Sequence, residues 1–300
     1  MTGTPTSQPG RSRLDASPRG LTTVSQFLQP SSTRQHDTDQ VTLDLLLFGF
    51  VAGLVIATVT APVGVSGAVF LLPVQLDVLG VPSPAVTPTN LLFNVVATPG
   101  SLLRYRAQGQ LGGPLARQLI AATLPGVVIG AAIRVYLVPD VTAFRLIVAA
   151  VLLPLGIWLC ARSSPRPSNR PARPLSQRSV TALALLVGII GGVYGIGGGS
   201  ILGPILVGTG MSVATVAPAA LASTFATSVV GAVTYGLLAI VTDGTIAPDW
   251  VLGLACGAGG LTGGYLGARL QPRMPERALR LLLGVLASGL AVAYTVEALR

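Results

Sequence analysis

From Val41 onward the chain is a succession of apolar runs joined by short polar or glycine-bearing stretches, at roughly 43–62, 65–79, 85–105, 114–136, 141–161, 179–194, 197–211, 213–240, 250–270 and 277–297. Several approach the ~20 residues with which a helix crosses a hydrocarbon core, whereas 65–79 and 197–211 are shorter and read as half-helices or tilted partners of their neighbours. Helix propensity fails at two places inside this apolar terrain. Residues 191–204 read Gly-Gly-Val-Tyr-Gly-Ile-Gly-Gly-Gly-Ser-Ile-Leu-Gly-Pro, and 62–67 read Pro-Val-Gly-Val-Ser-Gly. Gly64 and Gly195 are 131 residues apart, as are Pro73 and Pro204. Later pairs, Gly109 with Gly244, Arg134 with Arg269 and Arg145 with Arg280, are 135 apart, which places about four extra residues between Pro204 and Gly244. The pattern predicts an all-α, polytopic membrane protein of two repeats, each of about five helical segments with one glycine-broken helix. Because five spans is an odd number, the second repeat is expected to be inverted relative to the first.

Composition agrees with a membrane solvent. Of 300 residues, 51% are hydrophobic and 10% charged, with a mean hydropathy of +0.71, far from the roughly 25% charge of soluble domains. The net charge of +9 contains no lysine. Its arginines mark helix ends and a linker and form no basic face with interleaved aromatics, which argues against nucleic acid as a partner. Residues 1–40 are polar, without the apolar core of a signal peptide, and read as a disordered tail. The division is then a first transmembrane repeat over 41–161, a linker over 162–178 and a second repeat over 179–300. The linker carries five arginines, four prolines and no acid, so the positive-inside rule makes it cytoplasmic. Arg104, Arg106, Arg117, Arg269, Arg273, Arg277 and Arg280 place their loops on the same side, and the Asp243–Asp249 loop on the other. Both termini then fall outside. Oligomeric state is not encoded in any of these features.

The membrane interior offers little ionisable chemistry. Asp44 and Asp77 lie near segment ends, Asp140 in a loop and Glu297 in a last turn, so a carboxylate relay has no material. His36, the one histidine, is in the tail, and Cys160 and Cys256 sit in apolar segments as small hydrophobes. Neither metal ligands, nor a cofactor site, nor a nucleophile beside a base is present, and an enzyme is therefore not expected.

What the interior does contain is backbone polarity. At Gly195, Gly197, Gly198, Gly199 and Ser200 the chain is free to leave helical geometry, and the helix restarting near Ser200 would turn unpaired N–H groups toward an anion. Gly64, Ser66 and Gly67 offer a second such end. Thr87, Thr89, Asn90, Asn94 and Thr98 follow in one copy, and Ser223, Thr224, Thr227 and Ser228 in the other. Thr89, Asn90 and Thr224 are the side chains taken as completing an anion's coordination. The competing reading of these hydroxyls and amides is interhelical hydrogen bonding, and of Gly188/Gly192, Gly191/Gly195, Gly260/Gly264 and Gly263/Gly267 it is close helix packing. Packing alone does not call for three consecutive glycines at 197–199, and no alternating strand and helix pattern supports a dinucleotide loop there.

These motifs together resemble the sulfite exporter family of TauE/SafE-type permeases. The resemblance rests on the glycine break with a downstream proline in each half, on Pro88-Thr89-Asn90-Leu91 leading to Arg104-Tyr105-Arg106, and on Pro125-Gly126 with Gly130, echoed by Gly263-Gly264-Tyr265-Leu266-Gly267-Ala268-Arg269. It covers about 43–298. It departs at Ser66 and Ala68, which replace two glycines, and at Pro218-Ala219-Ala220, which stands where Gly-Thr-Ser is expected. The resemblance implies a multipass plasma-membrane carrier of small sulfur-containing anions such as sulfite or organosulfonates, usually exporting them. The alternatives are a carrier of another small anionic metabolite and a passive anion channel. A channel needs a continuous polar stripe, and no segment is read as carrying one along its whole length. A purely structural scaffold leaves the paired breaks unexplained.

Overall fold

A computed structural model describes residues 32–137, 141–162, 175–241 and 247–299. Among these residues there are ten α-helices and no strand: α1 (Ser32–Thr60), α2 (Ala68–Pro73), α3 (Ser83–Ala107), α4 (Pro114–Leu137), α5 (Val141–Arg162), α6 (Gln177–Tyr194), α7 (Gly199–Gly208), α8 (Val213–Val241), α9 (Trp250–Leu270) and α10 (Glu276–Ala298). They follow the ten apolar runs closely, and the two shortest, α2 and α7, occupy the two runs that were too short to span. A 3-10 turn, Ala61–Val63, follows α1, and a π-turn, Val74–Val78, continues α2. Residues 1–31 of the polar tail and most of the arginine-rich linker lie outside the described residues, as does the loop residue Gly244; α1 takes in the end of the tail from Ser32. Residues from Asp44 onward form one compact unit.

Among the described residues, six helices are long and apolar enough to cross a membrane, starting at Leu43, Pro114, Gln177, Val213, Trp250 and Glu276. The protein is a multi-pass membrane protein. The long helix α3 is missing from that set although its 25 residues are about 37 Å of helix. Its polarity is turned inward. Thr87, Asn90, Asn94, Thr98, Ser101 and Tyr105 recur every three or four residues, hence on one face, and each is no more than 4% exposed. This face covers about 27 Å, close to the thickness of a hydrocarbon core. A polar stripe therefore does run along a whole segment. Only Thr87, Asn90, Asn94 and Thr98 register as a cluster when the residues are read without the helical pitch.

Glycine sets how closely the helices approach. On α4, a Cβ at Gly126 or Gly130 would collide with the carbonyls of Leu185 and Ile189 on α6, and one at Gly188 or Gly192 on α6 would meet Thr123 and Val127 on α4. On α9, a Cβ at Gly259, Gly263 or Gly267 would collide with the carbonyls of Phe50, Leu54 and Thr58 on α1. The α4–α6 and α1–α9 contacts correspond: Leu54 and Leu185 are 131 residues apart, as are Thr58 and Ile189, while Gly126 and Gly263 are 137 apart, as are Gly130 and Gly267. Packed neighbours thus relate α4 to α9 by 137, where sequence landmarks suggest 135. Helix α10 packs on α5 through Gly156 and Gly284, which face Ser288 and Cys160. Helices α3 and α8 pack against each other at the centre, α3 also against α9 and α8 against α4.

Candidate functional site

Each break is a left-handed glycine seated against the opposite half. Gly64 has φ +75° and Gly195 +69°. A side chain on Gly64 would overlap Ala217 of α8, and one on Gly195 the carbonyl of Thr87 in α3. A tyrosine fastens the backbone just before each break: Tyr105 Oη donates to the Ala61 carbonyl and Tyr235 Oη to the Gly192 carbonyl, both at 2.9 Å. The tyrosines are 130 apart and the carbonyls 131.

Beyond this shared frame the breaks differ. In the first, Ser66 donates to Asn94 Oδ1 and accepts from the Ala68 N–H at 3.2 Å. Asn94 Nδ2 then reaches across to donate to the Gly195 carbonyl at 3.3 Å. One buried amide on α3 therefore links the two breaks. Asn90, one turn earlier, donates to the Ala68 carbonyl at 3.0 Å, while its Oδ1 is buried without a partner. Thr87 donates to the Val193 carbonyl at 3.3 Å.

Behind the first break lies a small, partly open pocket. Its polar lining comes from Thr60, Ser66, Asn94, Thr98 and Ser101, and its other walls include Phe93, Leu221, Gly260 and Gly264. The Thr60 hydroxyl is buried and unpartnered. No charged side chain lines the cavity.

In the second break the turn is closed on itself. Gly197 is also left-handed, φ +72°. The N–H groups that the sequence turns toward an anion are already spoken for: Gly198 donates to Thr227 Oγ1 at 3.2 Å and Gly199 to Thr224 Oγ1 at 3.1 Å. Ser200 donates back to the Ile196 carbonyl at 2.9 Å. Packing also accounts for the three consecutive glycines. A Cβ at Gly197 or Gly198 would crowd Thr224 or Thr123, and one at Gly199 would overlap the Ala220 carbonyl. The expectation that packing does not need them fails because α4 and α8 both press on this turn.

Of the residues singled out from sequence, Ser66 and Gly67 line the cavity, and Asn90 binds the backbone beside them. Gly64 and Gly195 shape the turns. Gly197, Gly198, Gly199, Ser200 and Thr224 form the closed second turn. Thr89 lies apart, donating to the Ala85 carbonyl and accepting from the Asp249 N–H at the start of α9. Thr60 and Ser101 join the lining without a place in the sequence motifs. Ser101 continues the α3 stripe and was findable from helical spacing, whereas Thr60, at the end of α1, carries no such signal. From sequence Asn94 is one polar residue among several on α3.

A family model, Sulfite exporter TauE/SafE, matches residues 48–294. No curated protein and no solved structure gives a significant match.

Proposed function

The chain belongs to the sulfite exporter TauE/SafE family, a family of membrane transporters and not of enzymes, and on that premise we propose that it is a secondary carrier that exports small sulfur-containing anions, such as sulfite or organosulfonates, across the plasma membrane. The observation that carries the reading is the Ser66–Asn94–Gly195 connection. A polar group at the centre of the bundle touches both helix breaks and borders a cavity of hydroxyl groups, and broken helices meeting at mid-membrane are where carriers place their substrate. Ligand entry that displaces the Asn94 bonds would be felt by both breaks at once. The matched contacts of α1–α9 and α4–α6 support the reading of two inverted repeats.

A carrier is favoured over a channel by the state of the α3 stripe. Thr87, Asn90, Asn94 and Tyr105 each spend a donor on a main-chain carbonyl, so the stripe is a bonded seam that has to rearrange before anything passes. The test is flux in reconstituted vesicles with sulfite, a sulfonate, sulfate and a cationic control. Saturable sulfite or sulfonate flux, accelerated by substrate on the opposite side, is expected. Equal movement of the cation, or no movement of any anion, overturns the reading.

A further inference from the structure

A serine or threonine within a membrane helix can return its hydroxyl to the carbonyl one turn back. Thr58, Thr89, Thr123, Thr227 and Thr234 do so, each at 2.7 Å. The hydroxyls that line the pocket behind the first break do not. Thr60 Oγ1, on a residue 2% exposed, is buried without a partner, the side chains of Thr98 and Ser101 bond no described residue, and Ser66 turns to Asn94. Ser228 and Ser288 are likewise unpartnered, but neither lines this pocket.

The bonds of Asn94 decide what Ser66 shows to a guest. Its Nδ2 is held by the Gly195 carbonyl, so its Oδ1 faces Ser66, and Ser66 has to donate to it. One lone pair of Ser66 takes the Ala68 N–H. What remains for the pocket is a lone pair and no proton. The backbone agrees in sign: Ala57 and Thr60 of the last turn of α1 line the pocket, and the C-terminal end of that 29-residue helix carries partial negative charge. Helix α2, across the break, has only 6 residues. No carboxylate is in the lining, so a divalent ion lacks the charge on which its sites depend. No lining side chain titrates near neutral pH, so a proton has no seat either.

We propose that this pocket binds sodium through the hydroxyl oxygens of Thr60, Ser66, Thr98 and Ser101, and that this is the ion coupled to transport. The binding needs nothing from the substrate; only the coupling rests on the transport reading. The pocket is small, which favours sodium over potassium. The ion stabilises the arrangement in which Asn94 bonds both breaks, because the Ser66–Asn94 bond keeps the Ser66 proton turned away from it. An anion that displaces Asn94 and sodium in its pocket therefore oppose each other. In the second half Thr227 and Thr224 are spent on the Gly198 and Gly199 N–H groups and Ser200 on its own helix, so one sodium per chain is expected.

The test measures binding of radioactive sodium to the purified full chain, with thermal unfolding in sodium, potassium and choline chloride at equal ionic strength and sulfite flux in vesicles beside it. Saturable binding of one sodium per chain is expected, with an unfolding temperature highest in sodium. Thr98→Val and Ser101→Ala should each weaken sodium binding about tenfold, whereas Thr234→Val should leave it unchanged. Replacing sodium by choline should change flux about fivefold or more. Equal unfolding in the three salts, with no sodium bound, would leave a water in the pocket and overturn the proposal. So would a stabilisation that choline chloride reproduces and sodium gluconate does not, which assigns the guest to chloride. These comparisons need no variant and stand even where Thr98→Val does not fold. Sodium affinity unchanged in both pocket variants also overturns the site, and flux indifferent to sodium overturns the coupling. If anions are carried but no sodium binds, the proposal falls while the transporter stands. If sodium binds to a protein that carries nothing, the site stands while the transport reading, and the coupling with it, falls.

Discussion

The two helix breaks share a backbone plan, a left-handed glycine held by a tyrosine from the third helix of the same half, yet one borders a pocket lined by hydroxyls and an amide, whereas the other has its turn N–H groups hydrogen-bonded and Ser200, Ile201 and Pro204 beside an apolar pocket. The difference comes from the neighbours. The contacts of α4 and α9 pair Thr123 with Gly260 and Val127 with Gly264. In the second half Thr123 packs against Gly198 and shares a hydrogen bond with Ser223 at 2.9 Å, while Val127 packs against Gly231. In the first half Gly260 and Gly264 of α9 line the pocket while packed against Ala97, Phe93 and Ser101 of α3, and Ser101 lines it where Gly231 stands in the other half. The central helices differ in the same sense: α3 offers the amides Asn90 and Asn94 at the positions where α8 has Ala220 and Thr224. A duplicated framework has thus diverged into a polar chamber and a hydroxyl-capped closed turn.

That contrast can be broken most decisively at Asn94. Asn94→Asp keeps the shape and places a like charge beside the ligand, so anion flux should fall about 100-fold or more in protein that still elutes as a single folded species. Survival of flux would remove Asn94 from the site. A smaller effect is expected from exchanging the filling. A Cβ at Gly264 would stand 2.5 Å from Ser101 Oγ, a group that can rotate away, so Gly264→Ala should cut flux about tenfold with little change in unfolding temperature. Val127→Ala, its counterpart, should cost about 2 kcal/mol of stability and leave flux near wild type. The reverse outcome would mean that the chamber lies in the wrong half.

Thr224→Val sharpens the comparison further. It strips the acceptor from the Gly199 N–H, so thermal unfolding should report a loss of about 1–3 kcal/mol while the preference among anions is unchanged. The smallest effects belong to the shared frame. Tyr105→Phe and Tyr235→Phe each delete one hydrogen bond to a carbonyl, and each should lower stability by about 1 kcal/mol. Unequal losses would show that the frame is not equivalent in the two halves.

Much of this architecture is legible in the chain because membrane helices announce themselves by length and apolarity, and glycine with proline announces where they stop. The ten runs and both breaks follow from that. Which break is open does not, because openness depends on Gly260 and Gly264 reaching α3 from α9, more than 150 residues away. Those glycines read from sequence as packing residues, and they are: Gly263 and Gly267 sit against α1, and Gly260 and Gly264 against Ala97, Phe93 and Ser101 of α3, where they also line the pocket. The reading of Gly198 and Gly199 as free donors missed Thr224 and Thr227 for a similar reason. A hydroxyl's partner is set by the rotation of α8 about its axis, which the apolar pattern of so uniformly hydrophobic a helix leaves undetermined.

The glycine seam between α1 and α9 has a consequence for synthesis. Gln271, just beyond α9, bonds to the Pro62 carbonyl just beyond α1, across 209 residues of chain. At about 5–20 residues per second, ribosomal elongation separates those two points by roughly 10–40 s. Throughout that interval α1 is made but its matched partner is not, so its seam face meets lipid or a temporary companion. The first helix made is therefore among the last to be locked in place, and assembly of the bundle closes backward, from the end of the chain onto its beginning.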